Sequence, residues 1–357
     1  MIKLNDLLHT QVNSQASDLI LKVGSPPILR INGDLTSLEV PPLTAVDIES
    51  GLVEMLRKEQ IEEYRKNNEL DISYEMTGVA RFRVNLFRQK GNIGAVFRLI
   101  PEKIPTIDEL GFPKILKEMA MRPRGLIVVT GPSGCGKSTT QAALIDYRNE
   151  NDNCHIVTVE DPIEFIHKNK KAVVTQREVG RDTHSFANAL KFVLRQDPDV
   201  ILVGEMRDLE TISLAITAAE TGHLVITTLH TADSISTIDR IIDVFPPHQQ
   251  NQIRMQLSLN LLAIFAQNLI KRADGKGRIA AYELLIATGS VRNLIREAKT
   301  HQLLSILQTS QQQGMITFDA CLANFVKKNL VSIKDAEAKA LNPDTFHKEI
   351  ETLTQGK

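Results

Sequence analysis

No apolar run in the 357 residues approaches the length of a membrane span, so the sequence predicts no transmembrane segment. Export is not indicated either, because Asp6 puts a carboxylate where a secretory signal needs basic or apolar residues. Cysteine is scarce. The three in the chain, Cys135, Cys154 and Cys321, have neither zinc-like nor disulfide-like spacing, which fits a reducing compartment. Charge of neither sign is in excess: 42 Lys and Arg stand against 43 Asp and Glu, a formal net charge of −1. No global field therefore draws in nucleic acid or anionic lipid. Aromatic residues make up 4% of the chain, few for the stacking platforms of a strand-binding protein. Repeats are lacking, and the one biased tract, Gln311-Gln312-Gln313, is expected to be loop. These absences predict a cytoplasmic protein, or a peripheral partner of something in a membrane. The rest of the composition, 42% apolar and 24% charged, is that of a globular chain of about two domains.

What is present is more specific. Leu126-Ile127-Val128-Val129 reads as a buried strand, and it feeds Gly131-Pro132-Ser133-Gly134-Cys135-Gly136-Lys137-Ser138-Thr139. The match to G-x-x-x-x-G-K-[ST] is complete at Gly131, Gly136, Lys137 and Ser138. Glycines let consecutive N–H groups turn inward around a phosphate, and the following helix offers the positive end of its dipole. Lys137 is placed to reach the β and γ oxygens, and the Ser138 hydroxyl to ligate Mg²⁺. Residues 131–139 are thus expected to bind a nucleoside triphosphate.

Three regions separate along the chain. Residues 1–100 read as a small α+β domain, with strands at Ser17–Val23 and Pro27–Ile31, and a hairpin-type turn at Asn32-Gly33-Asp34. Helical spacing covers 47–66, and strands return over 70–100, broken at Thr77-Gly78 and Gly91-Asn92. Pro101, Pro105, Pro113 and Pro123 punctuate a connection over 101–124, with a short helix near 113–121. From Gly125 the pattern alternates strand and helix, as in a parallel sheet, over 125–289. Residues 290–357 look helical, one late helix starting at Ser332 with Asp335 behind it.

A phosphate loop alone does not distinguish a kinase from a motor. Ile156–Val159 is a β-branched strand ending in Glu160-Asp161-Pro162-Ile163-Glu164, where ligands of open parallel sheets bind. One of these carboxylates could deprotonate an attacking water, and a solvated acidic loop is the plainer reading. A second strand, Val200–Val203, ends in Gly204-Glu205, which places a carboxylate near Mg²⁺ or its waters. A third runs from His223 to His230, an odd spacing that puts the two rings on opposite faces. His230, at the C-terminal end, is the candidate for sensing the γ-phosphate.

In Ala80–Leu86, Phe82, Val84 and Leu86 share one face of a strand and Arg81, Arg83 and Asn85 the other. Arg98 could lie on the neighbouring strand. Such arginines repel unless an anion meets them. Either Asp71, Glu75 or Glu69 neutralises them, or they reach a triphosphate bound on another subunit.

The set of motifs resembles the retraction branch of the secretion-type ATPases, the hexameric motors that retract type IV pili. The likeness runs from Ser17-Asp18-Leu19 to about residue 345. Glu160–Phe165 resembles that family's Asp box, Gly204–Asp208 its Walker B and Thr221–Thr231 its His box. The resemblance implies an α/β fold: an N-terminal PAS-like α+β domain, then a RecA-like P-loop NTPase core with C-terminal helices. It implies Glu164 as general base, Glu205 holding Mg²⁺ through water, and Arg83 and Arg98 as fingers. It also implies a homo-hexamer at the inner face of the membrane, acting on an inner-membrane pilus platform protein, with a paralogous pilus ATPase as a further candidate partner.

Ser290–Glu297 resembles the segment associated with retraction, with Val291, Leu294, Ile295 and Ala298 as an apolar stripe. The four-cysteine insert of assembly relatives is lacking. Ser133 and Cys135 replace the Thr and Ser usual in the loop, and a helix-dipole-activated Cys135 thiol would make the site oxidation-sensitive. Thr175–Gly180 and Ser258–Leu261 resemble instead the accessory retraction ATPase. Two other classes stay open. One is a nucleic-acid translocase on the same P-loop engine, against which charge and aromatic content count. The other is a nucleotide-gated scaffold without turnover, against which Glu164 and Glu205 count.

Overall fold

The computed structural model describes residues 3–31, 33–100 and 103–355. Asn32 and Pro101, assigned above to a turn and to the connection, lie outside the described residues. The chain forms two compact units, residues 1–103 with 162–166, and residues 104–161 with 167–357.

The first unit holds a six-stranded sheet of order β3-β2-β1-β6-β5-β4. Its strands are β1 (Asp18–Lys22), β2 (Ile28–Ile31), β3 (Asp34–Ser37), β4 (Glu69–Met76), β5 (Ala80–Gln89) and β6 (Asn92–Ile100), all paired antiparallel. The alternation in β5 is the one expected: Phe82, Val84 and Leu86 are fully buried, with Phe97 and Leu19 beside them in one core. Residues 47–66 are not one helix. Helices Ala45–Met55 and Lys58–Asn67 are separated because Leu56 and Arg57 turn extended, and the Arg57 N–H donates to Gln60 Oε1 at 3.0 Å.

The second unit carries a seven-stranded sheet of order β13-β12-β7-β11-β10-β8-β9. These are β7 (Gly125–Thr130), β8 (His155–Glu160), β9 (Val173–Glu178), β10 (Val200–Val203), β11 (Leu224–Leu229), β12 (Leu261–Lys271) and β13 (Arg278–Ile286). Six are parallel and β13 is an antiparallel edge on β12. Every residue of β7, β10 and β11 is buried, as a sheet covered on both faces requires. Helices follow β13, and two details differ from expectation. Gln311–Gln313 is one turn of 3₁₀ helix rather than loop. Ala298 leaves the apolar stripe, because the helix Gly289–Arg296 has ended and its φ is 57°.

That helix is fastened by its own arginine. Arg292 Nε donates to the Ala287 carbonyl at 2.8 Å, Nη1 to Ser258 O at 2.7 Å and also to Leu259 O, and Nη2 to Leu261 O at 2.9 Å. Three of the four are carbonyls at the C-terminal end of the helix Pro247–Asn260 and just after it, where orphan acceptors favour a cation.

Candidate active site

β7 ends at Thr130 and the helix Lys137–Asn151 begins at once, leaving 131–136 as a tight loop. Gly131, at φ 142°, passes so close to β12 that a Cβ there would lie 2.2 Å from the Gln267 carbonyl oxygen. Pro132, Ser133 and Gly134 form the exposed tip, and Gly136 to Thr139 are half-buried. Cys135 is 2% exposed and burial raises its thiol pKa, so the expected activation by the helix dipole is overturned: desolvation of the thiolate wins.

The loop's cation closes on its own backbone. Lys137 Nζ donates to Gly131 O at 2.8 Å and Pro132 O at 3.1 Å, and lies 3.4 Å from His230 Nδ1. An ammonium has no acceptor, so Nδ1 accepts and the ring's proton sits on Nε2. That nitrogen faces Glu205 Oε2 at 3.3 Å, and the other oxygen of Glu205 takes Arg207 Nε at 2.8 Å. The loop, β10 and β11 thus bring Lys137, His230 and Glu205 into one chain of polar contacts. His223 is at the other end of β11, where its Nδ1 meets Ala218 O at 2.9 Å. Glu160, first of the acidic run, accepts from Thr158 Oγ1 at 2.6 Å and Gln176 Nε2 at 3.1 Å.

Among the described residues no cluster of three His, Cys, Asp or Glu could hold a metal. The Ser138 hydroxyl and the Glu205 carboxylate are oxygen donors of the kind Mg²⁺ takes. Both Glu205 oxygens are engaged by His230 and Arg207 here, which suits a carboxylate that would meet the ion through water.

The candidate fingers belong to the first unit. Arg83 and Arg98 stand directly opposite each other on β5 and β6. Of the three carboxylates expected to neutralise Arg83, Asp71 does so: Arg83 Nη2 reaches Asp71 Oδ2 at 2.6 Å, and Nε approaches both oxygens at 3.2 Å. Arg83 Nη1 also stands 3.6 Å from Glu164 Oε1, in the segment 162–166. Arg98 has a partner not foreseen, Asp18, whose Oδ1 accepts from Nε at 2.9 Å.

Two residues missed by sequence reading are Asp18 and Gln267. Asp18 is a carboxylate at 6% exposure on a strand, and Gln267 an amide at 2% exposure inside an apolar run. Buried polar groups demand partners, and that was the available signal.

A parallel sheet with a glycine loop between its first strand and helix, a lysine at that loop and a carboxylate at the end of β10 defines a P-loop ATPase with a RecA-like core. The family described as type II/IV secretion system protein matches residues 2–338, and the chain belongs to that family. It is 49% identical over 96% of its length, and 99% of the relative, to the type IV pilus retractation ATPase PilT of Pseudomonas aeruginosa. It is 42% identical over 95% of its length, and 89% of the relative, to the type IV pilus ATPase PilU of the same organism. A crystal structure of the pilus retraction motor PilT with bound ADP superposes with a TM-score of 0.91 at 44% identity, covering 98% of this chain and all of that one. Among the described residues, no helix is long and apolar enough to cross a membrane.

Proposed function

We propose that this chain is a motor ATPase that powers type IV pilus retraction, and hence twitching motility. The observation that carries this is the 49% identity with PilT along almost the whole of both chains, together with a complete phosphate loop. ATP is the substrate. The loop 131–139 cradles its phosphates through backbone N–H groups, and Lys137 leaves the Gly131 and Pro132 carbonyls to meet the β and γ oxygens. Ser138, and Glu205 through water, would hold Mg²⁺, which supplies charge neutralisation at the phosphates.

Glu164 acts as general base on the attacking water, and His230 reads the γ-phosphate from Glu205 and Lys137. Arg83 and Arg98 stabilise the charge that develops, on a nucleotide held by another subunit of a homo-hexamer. In this reading residues 1–100 are the finger-bearing domain, 101–124 a linker whose residues from 104 on pack into the second unit's core through Ile107, Phe112 and Leu116, 125–289 the ATPase domain and 290–357 a helical region that follows it. The hexamer works in the cytoplasm at the inner face of the membrane, against a platform protein of the pilus base, with no direct contact to nucleic acid.

The test is Mg²⁺-ATP hydrolysis per subunit against protein concentration, beside Arg83→Ala, followed by return of the gene to cells lacking PilT. Specific activity that climbs with concentration, collapses in Arg83→Ala and restores twitching supports the reading. The 42% identity with PilU favours accessory retraction as the second reading, which rescue of cells lacking PilU alone would favour.

A further inference from the structure

Gln267 is placed on β12 with its side chain amide between the loop and the first turn of the following helix. Its Nε2 donates to the Cys135 carbonyl at 2.7 Å, and its Oε1 accepts from Thr140 Oγ1 at 2.6 Å. A carbonyl needs a donor, so the amide nitrogen must face Cys135 and the oxygen Thr140. Thr140 is 1% exposed and its own Oγ1 also lies 3.2 Å from Gly136 O. The backbone around this amide is equally close: the Gln267 carbonyl blocks any Cβ at Gly131, and a Cβ at Gly136 would come within 3.3 Å of Nε2.

The Cys135–Gly136 peptide is the consequence. In a planar trans peptide the C=O and the N–H point in opposite directions. Tethering the Cys135 carbonyl to β12 therefore turns the Gly136 N–H away from β12, which is how a phosphate loop presents its amides to an anion. An untethered glycine peptide is free to flip, since Gly136 at φ 91° has no side chain to restrain it. We propose that Gln267 is a positioning residue for the nucleotide: it holds the Gly136 N–H aimed into the phosphate site, with Thr140 fixing which way its amide faces. This rests on the reading of residues 131–139 as a triphosphate loop. Gln267, 2% exposed, would act through the peptide rather than on the phosphates themselves.

An amide aimed at phosphate binds ground state and transition state alike, so its loss raises KM and leaves kcat. In full-length Gln267→Met, which keeps the length and removes both hydrogen bonds, the ATP KM and the Kd of a ribose-labelled fluorescent ADP should rise roughly 10- to 100-fold, the scale of one hydrogen bond to a charged group. Unchanged KM and Kd in that variant would overturn the proposal, even if kcat fell, because a merely structural role lowers the active fraction instead. Gln267→Glu gives a second reading should the first variant fail to fold. A protonated carboxyl keeps one donor and one acceptor, so its Kd should track wild type at low pH and rise away from it as the pH climbs. A ratio to wild type that does not move with pH would count against the proposal. Failure of wild type itself to bind the labelled ADP would sink the triphosphate-loop reading, a distinct result.

Discussion

Arg98 on β6 donates to Asp18 on β1 at 2.9 Å, and its cross-strand neighbour Arg83 donates to Asp71 on β4 at 2.6 Å. The two pairs differ in setting. The Asp18 side chain is 8% exposed and also accepts from Ser17 Oγ at 2.8 Å, whereas Asp71 and Arg83 are 40% and 36% exposed. Asp71→Ala should therefore cost at most about 1 kcal/mol, the range of exposed pairs. Asp18→Ala removes a buried carboxylate that accepts from Arg98 and Ser17 and lies 3.7 Å from Arg30, and the loss of these hydrogen bonds to a charged group should cost about 1–3 kcal/mol. Urea denaturation of the two variants checks this, and equal midpoints would contradict it.

Glu164→Gln should bind ATP yet hydrolyse it at least about a hundredfold more slowly, the scale of lost general-base catalysis. Turnover near wild type in that variant would remove Glu164 from the base role and leave its contact with Arg83 as a surface ion pair.

The strand alternation of 80–86, the phosphate loop and the acidic strand ends were legible because each is local: a period of two, or a fixed spacing within nine residues. What was not legible is held across the chain. Arg98 meets Asp18 over a separation of 80 residues, and Gln267 meets Cys135 over 132. No pattern within a window encodes such pairs. β12 was hidden for another reason, since its apolar run of six residues, Leu261–Ala266, reads equally as buried helix. The break at Leu56 lacks glycine and proline, so helical periodicity carried across it.

The thiols should rank by burial. Burial pushes the Cys321 thiol up to about 12 and raises Cys135 as well, each being 2% exposed. Cys154 is also raised by burial but is only half-covered. Iodoacetamide at mildly alkaline pH should thus modify Cys154 first in the native protein, as followed by mass spectrometry. Equally rapid labelling of Cys135 would mean that the loop opens far more often than its buried packing implies.

Glu283 on β13 accepts from the Ser234 N–H at 2.8 Å and the Ser234 hydroxyl at 2.5 Å, at the start of the helix Ser234–Asp243. Burial nevertheless raises its pKa above the ordinary 4.5. A raised folded pKa means that the native state holds this proton more tightly than the unfolded one. Its contribution is complete below about 4.5 and is lost as the pH rises through the folded value. Glu283→Gln should accordingly gain stability relative to wild type as the pH climbs from there toward neutrality, with no change in the difference at lower pH. Parallel pH profiles of unfolding free energy would refute the assignment.

His230 accepts at Nδ1 from Lys137 and faces Glu205 with Nε2; in the function proposed above it would connect the cation that meets phosphate to the carboxylate that holds the metal through water. In that reading a triphosphate would draw Lys137 off the Gly131 and Pro132 carbonyls, Nδ1 would lose its donor, and the ring would be free to turn toward the γ-phosphate. ADP lacks that phosphate and gives the ring nothing to read. His230→Ala should then leave ADP affinity near wild type while kcat falls about 10²-fold or more, the loss expected of one donor preorganised for the transition state. Single-turnover hydrolysis beside ADP titration separates the two quantities. A variant that loses ADP affinity and keeps its turnover would place His230 in holding Lys137 for binding, and take the γ-phosphate out of its role.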